Sequence, residues 1–177
     1  RLYGWNGRDN NYFIKKKVQS LAFGAACRKH ESRALEDVSH ILVLYQANDH
    51  ELAESCLNVL RRKNKWVQAC VYVSGESTPE MNASYVQIHA GKDVNIWQVP
   101  FRSVLDRFKA IKADLLIDLT PPDCYPMQYL MLQHPCEFKV GVKHADIDLY
   151  DLSISVTERE DIKYLFGHIL FYLEAIR

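Results

Sequence analysis

The sequence predicts an α/β protein: a three-layer α/β/α sandwich of Rossmann-like type, with a mostly parallel sheet of about five to six strands. Two observations carry this prediction. Between Ala113 and Pro122, a short and almost unbroken apolar run follows a helix-like segment and ends at a pair of prolines. Such a run is typical of a strand that is covered by helices on both faces. Strand-like and helix-like segments also alternate along the chain without an internal repeat, which favours parallel pairing.

The N-terminal segment, residues 1–28, is expected to be a lead-in followed by an amphipathic helix from Tyr12 to Ala26. This helix should pack on a single α/β domain formed by residues 29–177. Its apolar residues recur at helical spacing on one face: Ile14, Val18, Leu21, Ala22 and Ala25. Because Lys15–Lys17 lie largely off that face, we favour a docked helix with its lysines in water over a basic membrane anchor.

The first half of the domain is predicted to hold two buried strands with a helix between them. Val38–Tyr45 and Trp66–Val73 are apolar runs of strand length. Asp49 is placed to cap the intervening helix. That helix ends in the basic run Arg61–Lys65, which suits the negative end of a helix dipole without any nucleic acid. Two shorter extended segments are expected at Tyr85–His89 and Val94–Trp97.

The second half is predicted to continue the alternation around the central strand. Helices are expected to begin at Ser103, before that strand, and at Asp123, after it. Thr157 and Glu160 have the spacing of a capping box, which predicts a final helix that runs to Ile176. Two further strands are expected between these helices, at Phe138–Val142 and Leu152–Val156.

Charge and cysteine usage limit the classes of partner. The 22 Lys and Arg residues balance the 22 Asp and Glu residues, so no global field attracts nucleic acid or an anionic membrane. No apolar run reaches the ~18 residues of a membrane span. The five cysteines are odd in number and form no C-x-x-C pair. We therefore expect reduced thiols and a cytoplasmic location.

Several sequence motifs that identify common binding sites are missing. The chain has no G-x-G-x-x-G, no phosphate-binding G-x-x-x-x-G-K-[ST] and no G-x-S-x-G. The densest cluster of metal-ligand types, His144–Asp148, is explained equally well by a polar loop between two strands. We accordingly predict no cofactor, no metal and no catalytic residue, and we lean towards a protein that is not an enzyme.

Candidate ligand-binding residues follow the strands of the predicted sheet, because open α/β sheets bind ligands at the carboxyl ends of their strands. Asp118 stands near the end of the central strand, where a buried carboxylate needs hydrogen bonds. It either accepts them from the turn that begins at Thr120 or faces a ligand, and the first alternative is favoured. Asp49 either caps its helix or acts as a base or a polar clamp. The full candidate set is Asn48, Asp49, Ser74, Asp118 and Thr120, which suits a polyol or a cation better than a phosphate.

From about Ile41 to Val142, the order of elements resembles the N-terminal half of heptosyltransferase-type glycosyltransferases, whose fold is called GT-B. The segments Asp114–Leu119 and Lys139–Gly141 carry this resemblance. In that family an Asp that follows a Gly in the first turn takes part in catalysis; here the nearest match is Asp49, which follows Asn48. Those enzymes also use a second domain to bind the sugar nucleotide. The whole chain is similar to a family of short, stand-alone, uncharacterised bacterial α/β proteins, and this second resemblance implies no function.

Three functions remain open. In order of preference they are a non-catalytic module that binds a protein partner or its own copy, a binder of a polyol or sugar-like small molecule at the carboxyl edge of the sheet, and one half of a split glycosyltransferase. Neutral net charge and a high aromatic content permit the first.

Overall fold

The computed structural model describes residues 7–26, 32–75, 77–145, 147–156 and 161–176, with the backbone alone for residues 7–10. The described residues form five α-helices: α1 (Gly7–Ala26), α2 (His50–Arg62), α3 (Arg102–Lys109), α4 (Tyr125–Gln133) and α5 (Ile162–Ala175). They also form six strands: β1 (His40–Gln46), β2 (Trp66–Val73), β3 (Val86–His89), β4 (Leu115–Asp118), β5 (Lys139–Val142) and β6 (Leu152–Ile154).

The six described strands form one sheet in the order β3-β2-β1-β4-β5-β6, and every pairing is parallel. After β1, the strands β2 and β3 are added on one side of it. The chain then crosses over, and β4, β5 and β6 are added on the other side of β1. The order therefore reverses between β1 and β4, where Leu44 pairs with Asp118. In open α/β sheets, the crevice beside such a reversal is the usual place for a ligand.

Each face of the sheet has its own hydrophobic core, because successive residues of a strand point to opposite sides. Val43 and Ile117 face the helices α2 and α5, whereas Leu44 and Leu116 face α1, α3 and α4. All four side chains are fully buried. The three-layer α/β/α fold predicted from the sequence is confirmed, and so is the central strand.

The N-terminal helix packs on the domain, mainly along α4. Ile14, Val18 and Ala22 are buried in the core on that side, while Lys15–Lys17 are exposed. The helix starts earlier than Tyr12, at Gly7. No helix within the described residues combines the length and the apolar character that crossing a membrane requires.

Several local predictions are corrected by the structure. Val94–Trp97 is a turn rather than a strand, because Asn95 Oδ1 accepts hydrogen bonds from the backbone N–H groups of Trp97 and Val99, at 2.8 and 3.0 Å. Only Val94 forms a bridge there, to Pro100. Gln98 adopts a positive φ of 63°, which closes this turn and ends extended structure.

The predicted helix starts are also corrected. Asp49 makes no side-chain capping bond, because a short 3-10 turn over Ala47–Asp49 comes directly before α2. Helix α3 begins at Arg102, one residue before the expected cap Ser103. Helix α4 begins at Tyr125, two residues after the expected start at Asp123, with Pro126 in its first turn. The expected capping box, Thr157 and Glu160, lies outside the described residues.

A buried histidine joins the ends of α3 and α4. His134 Nε2 donates a hydrogen bond to the carbonyl oxygen of Ile111 at 2.8 Å, and its Nδ1 accepts one from the backbone N–H of Cys136 at 3.0 Å. Because a carbonyl can only accept and a backbone N–H can only donate, the tautomer is determined. Burial lowers the pKa of His134 to about 4, so the ring is neutral at physiological pH.

Candidate functional site

A cleft of about 570 Å³ opens at the carboxyl ends of β1, β4, β5 and β6, beside the reversal in strand order. This volume is in the usual range for small-molecule sites. The turn after β4, residues 119–123, forms its floor, and the N-terminal turn of α5 forms one wall. Its lining residues are Gln46, Asp49, Leu119, Thr120, Pro121, Pro122, Asp123, Val142, His144, Val156, Asp161, Ile162 and Leu165.

The charged groups in this lining are acidic. Asp49, Asp123 and Asp161 contribute carboxylates from three different elements, and among the described residues the lining contains neither Lys nor Arg. Burial raises the pKa of Asp49, a hydrogen bond from the Gln46 side chain opposes that effect, and the negative charge of Asp161 raises the pKa further. The cleft therefore favours a positively charged group over a phosphate, because a cation relieves the repulsion between these carboxylates.

Asp161 is fixed by the start of α5. It is the N-cap residue of the helix, and its Oδ1 accepts a hydrogen bond from the backbone N–H of Tyr164 at 2.9 Å. This carboxylate therefore satisfies the open end of the helix. It also offsets the positive end of the α5 dipole, which would otherwise attract an anion into the cleft.

Asp118 lies buried beneath the cleft, where three donors satisfy its carboxylate. Its Oδ1 accepts hydrogen bonds from the backbone N–H and the hydroxyl of Thr120, at 3.0 and 2.5 Å. Its Oδ2 accepts one from the Tyr150 hydroxyl at 2.8 Å. Burial raises the pKa of Asp118, and these hydrogen bonds act in the opposite direction. This geometry agrees with the favoured sequence interpretation, in which Asp118 braces the turn that follows its own strand.

Gly141 makes the Tyr150 contact possible. Gly141 on β5 is the register partner of Asp118 on β4, and the Tyr150 ring lies directly over it. A Cβ atom at Gly141 would stand 2.6 Å from both Cε1 and Cε2 of Tyr150 and closer still to Cζ. Any side chain at this position would therefore push the ring away from Asp118.

His144 connects this buried unit to the cleft. Its ring centroid is 6.0 Å from that of Tyr150, and its side chain contributes to the lining. Burial lowers the pKa of His144, while the nearby charge of Asp118 opposes the shift. A neutral imidazole offers one hydrogen-bond donor and one acceptor to a bound molecule.

The structure brings together some of the residues proposed from the sequence and separates others. Asp49 and Thr120 line the cleft, and Asp118 lies beneath it. Asn48 and Ser74 are exposed and do not contribute to the lining. Ser74 follows β2, which lies on the far side of β1 from β4. Whether any of these residues contacts a ligand stays a prediction.

Three residues of this region escaped the sequence reasoning as site residues. Tyr150 belongs to no motif, and Gly141 was noted only as part of the segment that carries the glycosyltransferase resemblance, since the roles of both residues depend on each other and on Asp118. Asp161, the observed cap of α5, comes directly after Thr157 and Glu160, which were expected to form the capping box of this helix. His144 was considered only as a metal ligand, but no group of three or more His, Cys, Asp or Glu side chains that could hold a metal ion exists in the described part of the chain. Asp146, from the same cluster, lies outside the described residues.

Comparison with known proteins identifies a family without assigning an activity. No curated protein and no solved structure matches the chain significantly. The resemblance to heptosyltransferase-type glycosyltransferases therefore has no support from these comparisons. Residues 10–176 match a family of unknown function, DUF6913, over nearly the whole chain. The match begins within α1 and ends just after α5, so it includes both the cleft and the buried Asp118 unit. The chain is thus a member of the family of unknown function DUF6913.

Proposed function

We propose that this protein binds a small organic molecule in the cleft between the ends of β1, β4, β5 and β6. The observation that carries the proposal is the position of a 570 Å³ cleft beside the reversal of strand order. Ligands of open α/β sheets bind at this position because the loops of neighbouring strands separate there. The sequence has no glycine-rich phosphate-binding loop, and the proposal needs none. The carboxylates of the lining disfavour phosphate as a ligand.

The lining favours a ligand with a cationic or hydroxyl-rich head and an apolar body. Asp49, Asp123 and Asp161 provide acceptors for the head, and Thr120 and His144 add further polar groups. The apolar residues of the lining are Leu119, Pro121, Pro122, Val142, Val156, Ile162 and Leu165. An organic amine meets both demands, because carboxylates attract its charge and its carbon atoms bury apolar surface.

A thermal-shift panel tests the proposal, with spermidine, choline, inositol, glucose, a nucleotide sugar and inorganic phosphate as probes. At ten times its Kd, a ligand adds about 1.4 kcal/mol to the free energy of unfolding. For a domain of this size, that corresponds to a rise in Tm of about 3–5 °C. We expect this rise from an amine, a smaller one from a polyol and none from phosphate. If none of the probes raises Tm, the proposal fails.

Variants then locate the site by isothermal titration calorimetry with the best probe. Asp49→Asn and Asp161→Asn each remove one negative charge, and asparagine still caps α5 at position 161. Each change should weaken cation binding about fivefold, which corresponds to about 1 kcal/mol. The matched control is Asp37→Asn, an exposed carboxylate just before β1 and therefore at the opposite edge of the sheet from the cleft, and a second control is Ser74→Ala. Equal losses in the controls and in the cleft variants would contradict the assignment.

The same panel also tests the half-transferase hypothesis. Binding of the nucleotide sugar, but of no amine, would favour the half-transferase hypothesis and a role for Asp49 in it. The hypothesis of an interaction module concerns a different surface of the protein, the outer side of α5.

A further inference from the structure

The outer side of α5 exposes an unusual amount of aromatic surface. Tyr164, Phe171 and Tyr172 are 49, 68 and 47 % exposed. The opposite side of the helix is buried in the core through Ile162, Phe166, Ile169 and Leu173. Lys163 and Glu174 are the two residues with permanently charged side chains in this helix. A helix that is apolar around most of its circumference is typical of one that is covered on both sides.

Gly167 lies at the centre of this outer side, between Tyr164 and Phe171. The spacing of these three residues places them on one face of the helix. A Cβ atom at Gly167 would meet no atom within 4 Å, so nothing within the described chain requires a glycine here. Glycine inside a helix costs about 1 kcal/mol relative to alanine. The gap that Gly167 leaves between the two rings allows another helix to approach closely. Contact with a second helix would therefore explain a glycine at a position where the single chain does not require one.

We infer that this outer side of α5 binds a second copy of the same chain, with the two α5 helices antiparallel around a twofold axis near Gly167. In this arrangement Tyr164 of each copy packs against Phe171 of the other. Lys163 and Glu174 stand near opposite ends of the helix, so each lysine comes within about one turn of the other copy's glutamate. A parallel arrangement would bring like charges together. Glu174 also contacts Lys63 of its own chain at 2.8 Å, which leaves a second carboxylate oxygen for the partner.

The available area fits a weak dimer. A fully covered aromatic side chain buries about 150–250 Å², so the exposed parts of these three rings offer roughly 300 Å² per copy, or about 600 Å² for the pair. His168, Leu170, Ala175 and the stems of the two charged side chains bring the total to about 1,000 Å², the lower limit of a specific interface. Neutral net charge keeps the repulsion between copies small. We therefore expect a Kd of about 10–100 μM.

Analytical ultracentrifugation between about 5 and 500 μM tests the dimer. The wild-type chain should pass from monomer to dimer across this range, and Phe171→Glu should weaken association at least tenfold. The matched control is Ile96→Glu, since Ile96 is 70 % exposed on a loop outside this surface; it should dimerise like the wild type. A wild-type chain that stays monomeric at 500 μM overturns the inference, as does equal weakening by the control.

Two further variants test the arrangement itself. Gly167→Ala should raise the Tm of the monomer, because alanine favours the helix, and should weaken the dimer, because the added methyl group fills the gap. Lys163→Glu and Glu174→Lys should each weaken self-association, and mixing these two variants should restore it in a heterodimer with both charge pairs matched. Failure of the mixture to associate more tightly than either variant alone would exclude the antiparallel arrangement.

Discussion

Replacement of Gly141 by alanine tests the buried unit beneath the cleft most directly. A Cβ atom at this position would be 2.6 Å from Cε1 and Cε2 of Tyr150, and a carbon–carbon contact needs about 3.5 Å. The ring must therefore move by about 1 Å. The hydroxyl of Tyr150 is 2.8 Å from Asp118 Oδ2, so this movement takes it beyond hydrogen-bond distance.

The expected cost follows from two contributions. Overpacking of a buried site costs about 1–3 kcal/mol. A lost hydrogen bond that leaves a buried polar group unsatisfied costs about 1–3 kcal/mol, and Asp118 cannot turn to water because it is 1 % exposed. Gly141→Ala should thus lower the free energy of unfolding by about 3–5 kcal/mol. With a slope of about 2 kcal/mol/M, the urea midpoint should fall by about 1.5–2.5 M.

A double-mutant cycle with Tyr150→Phe isolates the mechanism. Tyr150→Phe alone removes the hydroxyl and should cost about 1.5–3 kcal/mol. In the Gly141→Ala background it should cost much less, because the hydrogen bond is already broken, which gives a coupling of about 1–2 kcal/mol. Gly91→Ala is the control, since a Cβ there meets nothing within 4 Å. The reasoning is refuted if Gly141→Ala costs less than about 1 kcal/mol, or if the two changes add to within about 0.5 kcal/mol.

The other predictions concern pH, the core and the thiols. The pKa of His134 is about 4 in the folded protein, against 6.5 for an unperturbed histidine such as that of the unfolded chain. The stability that the neutral, buried ring contributes is therefore complete above pH 6.5 and is lost as the pH falls towards 4. The difference in free energy of unfolding between wild type and His134→Gln, measured in urea, should therefore shrink by up to about 3 kcal/mol between pH 7 and 4, and a constant difference would exclude this linkage. Leu116→Ala and Ile117→Ala should each cost about 2–5 kcal/mol in denaturant unfolding, since both side chains are fully buried; losses well below 1 kcal/mol at both positions would contradict the packing on opposite faces of β4. In a Cys27→Ser variant, native thiols should react with an aromatic disulfide reagent only at the rate of unfolding, and rapid reaction would show that one is accessible. The thiols concerned are the four buried cysteines of the described residues: Cys56, Cys70, Cys124 and Cys136.

The sequence could predict the fold because the sheet is buried on both faces. Leu115–Asp118 reads as an apolar run with one polar residue at its end, since every residue in it faces one of two cores. The strand Trp66–Val73 coincides with its predicted bounds, although among its residues only Ala69–Val71 and Val73 are buried. Helix starts were predicted less well, because a residue able to cap can also join a tight turn, as Asp49 does.

The candidate site could be predicted only in part. Asp49 and Thr120 were found because the carboxyl ends of parallel strands meet at one edge of the sheet. Ser74 follows the same rule but lies outside the cleft, because strand order, which the local pattern does not contain, separates β2 from β4. Asp161 joins the cleft only because α5 packs beside α2.

The sequence by itself determined the alternation of strands and helices, the apolar faces of the helices and the need of a buried Asp118 for hydrogen-bond donors. These are local properties, since hydrophobic spacing and desolvation act on each segment separately. Only the tertiary structure decided that Tyr150, 32 positions further along the chain, supplies one of those donors, and that Gly141 leaves room for its ring. It also decided which carboxylates share the cleft. Contacts between residues distant in the chain depend on the order in which strands pair, and that order is set by packing of the whole domain.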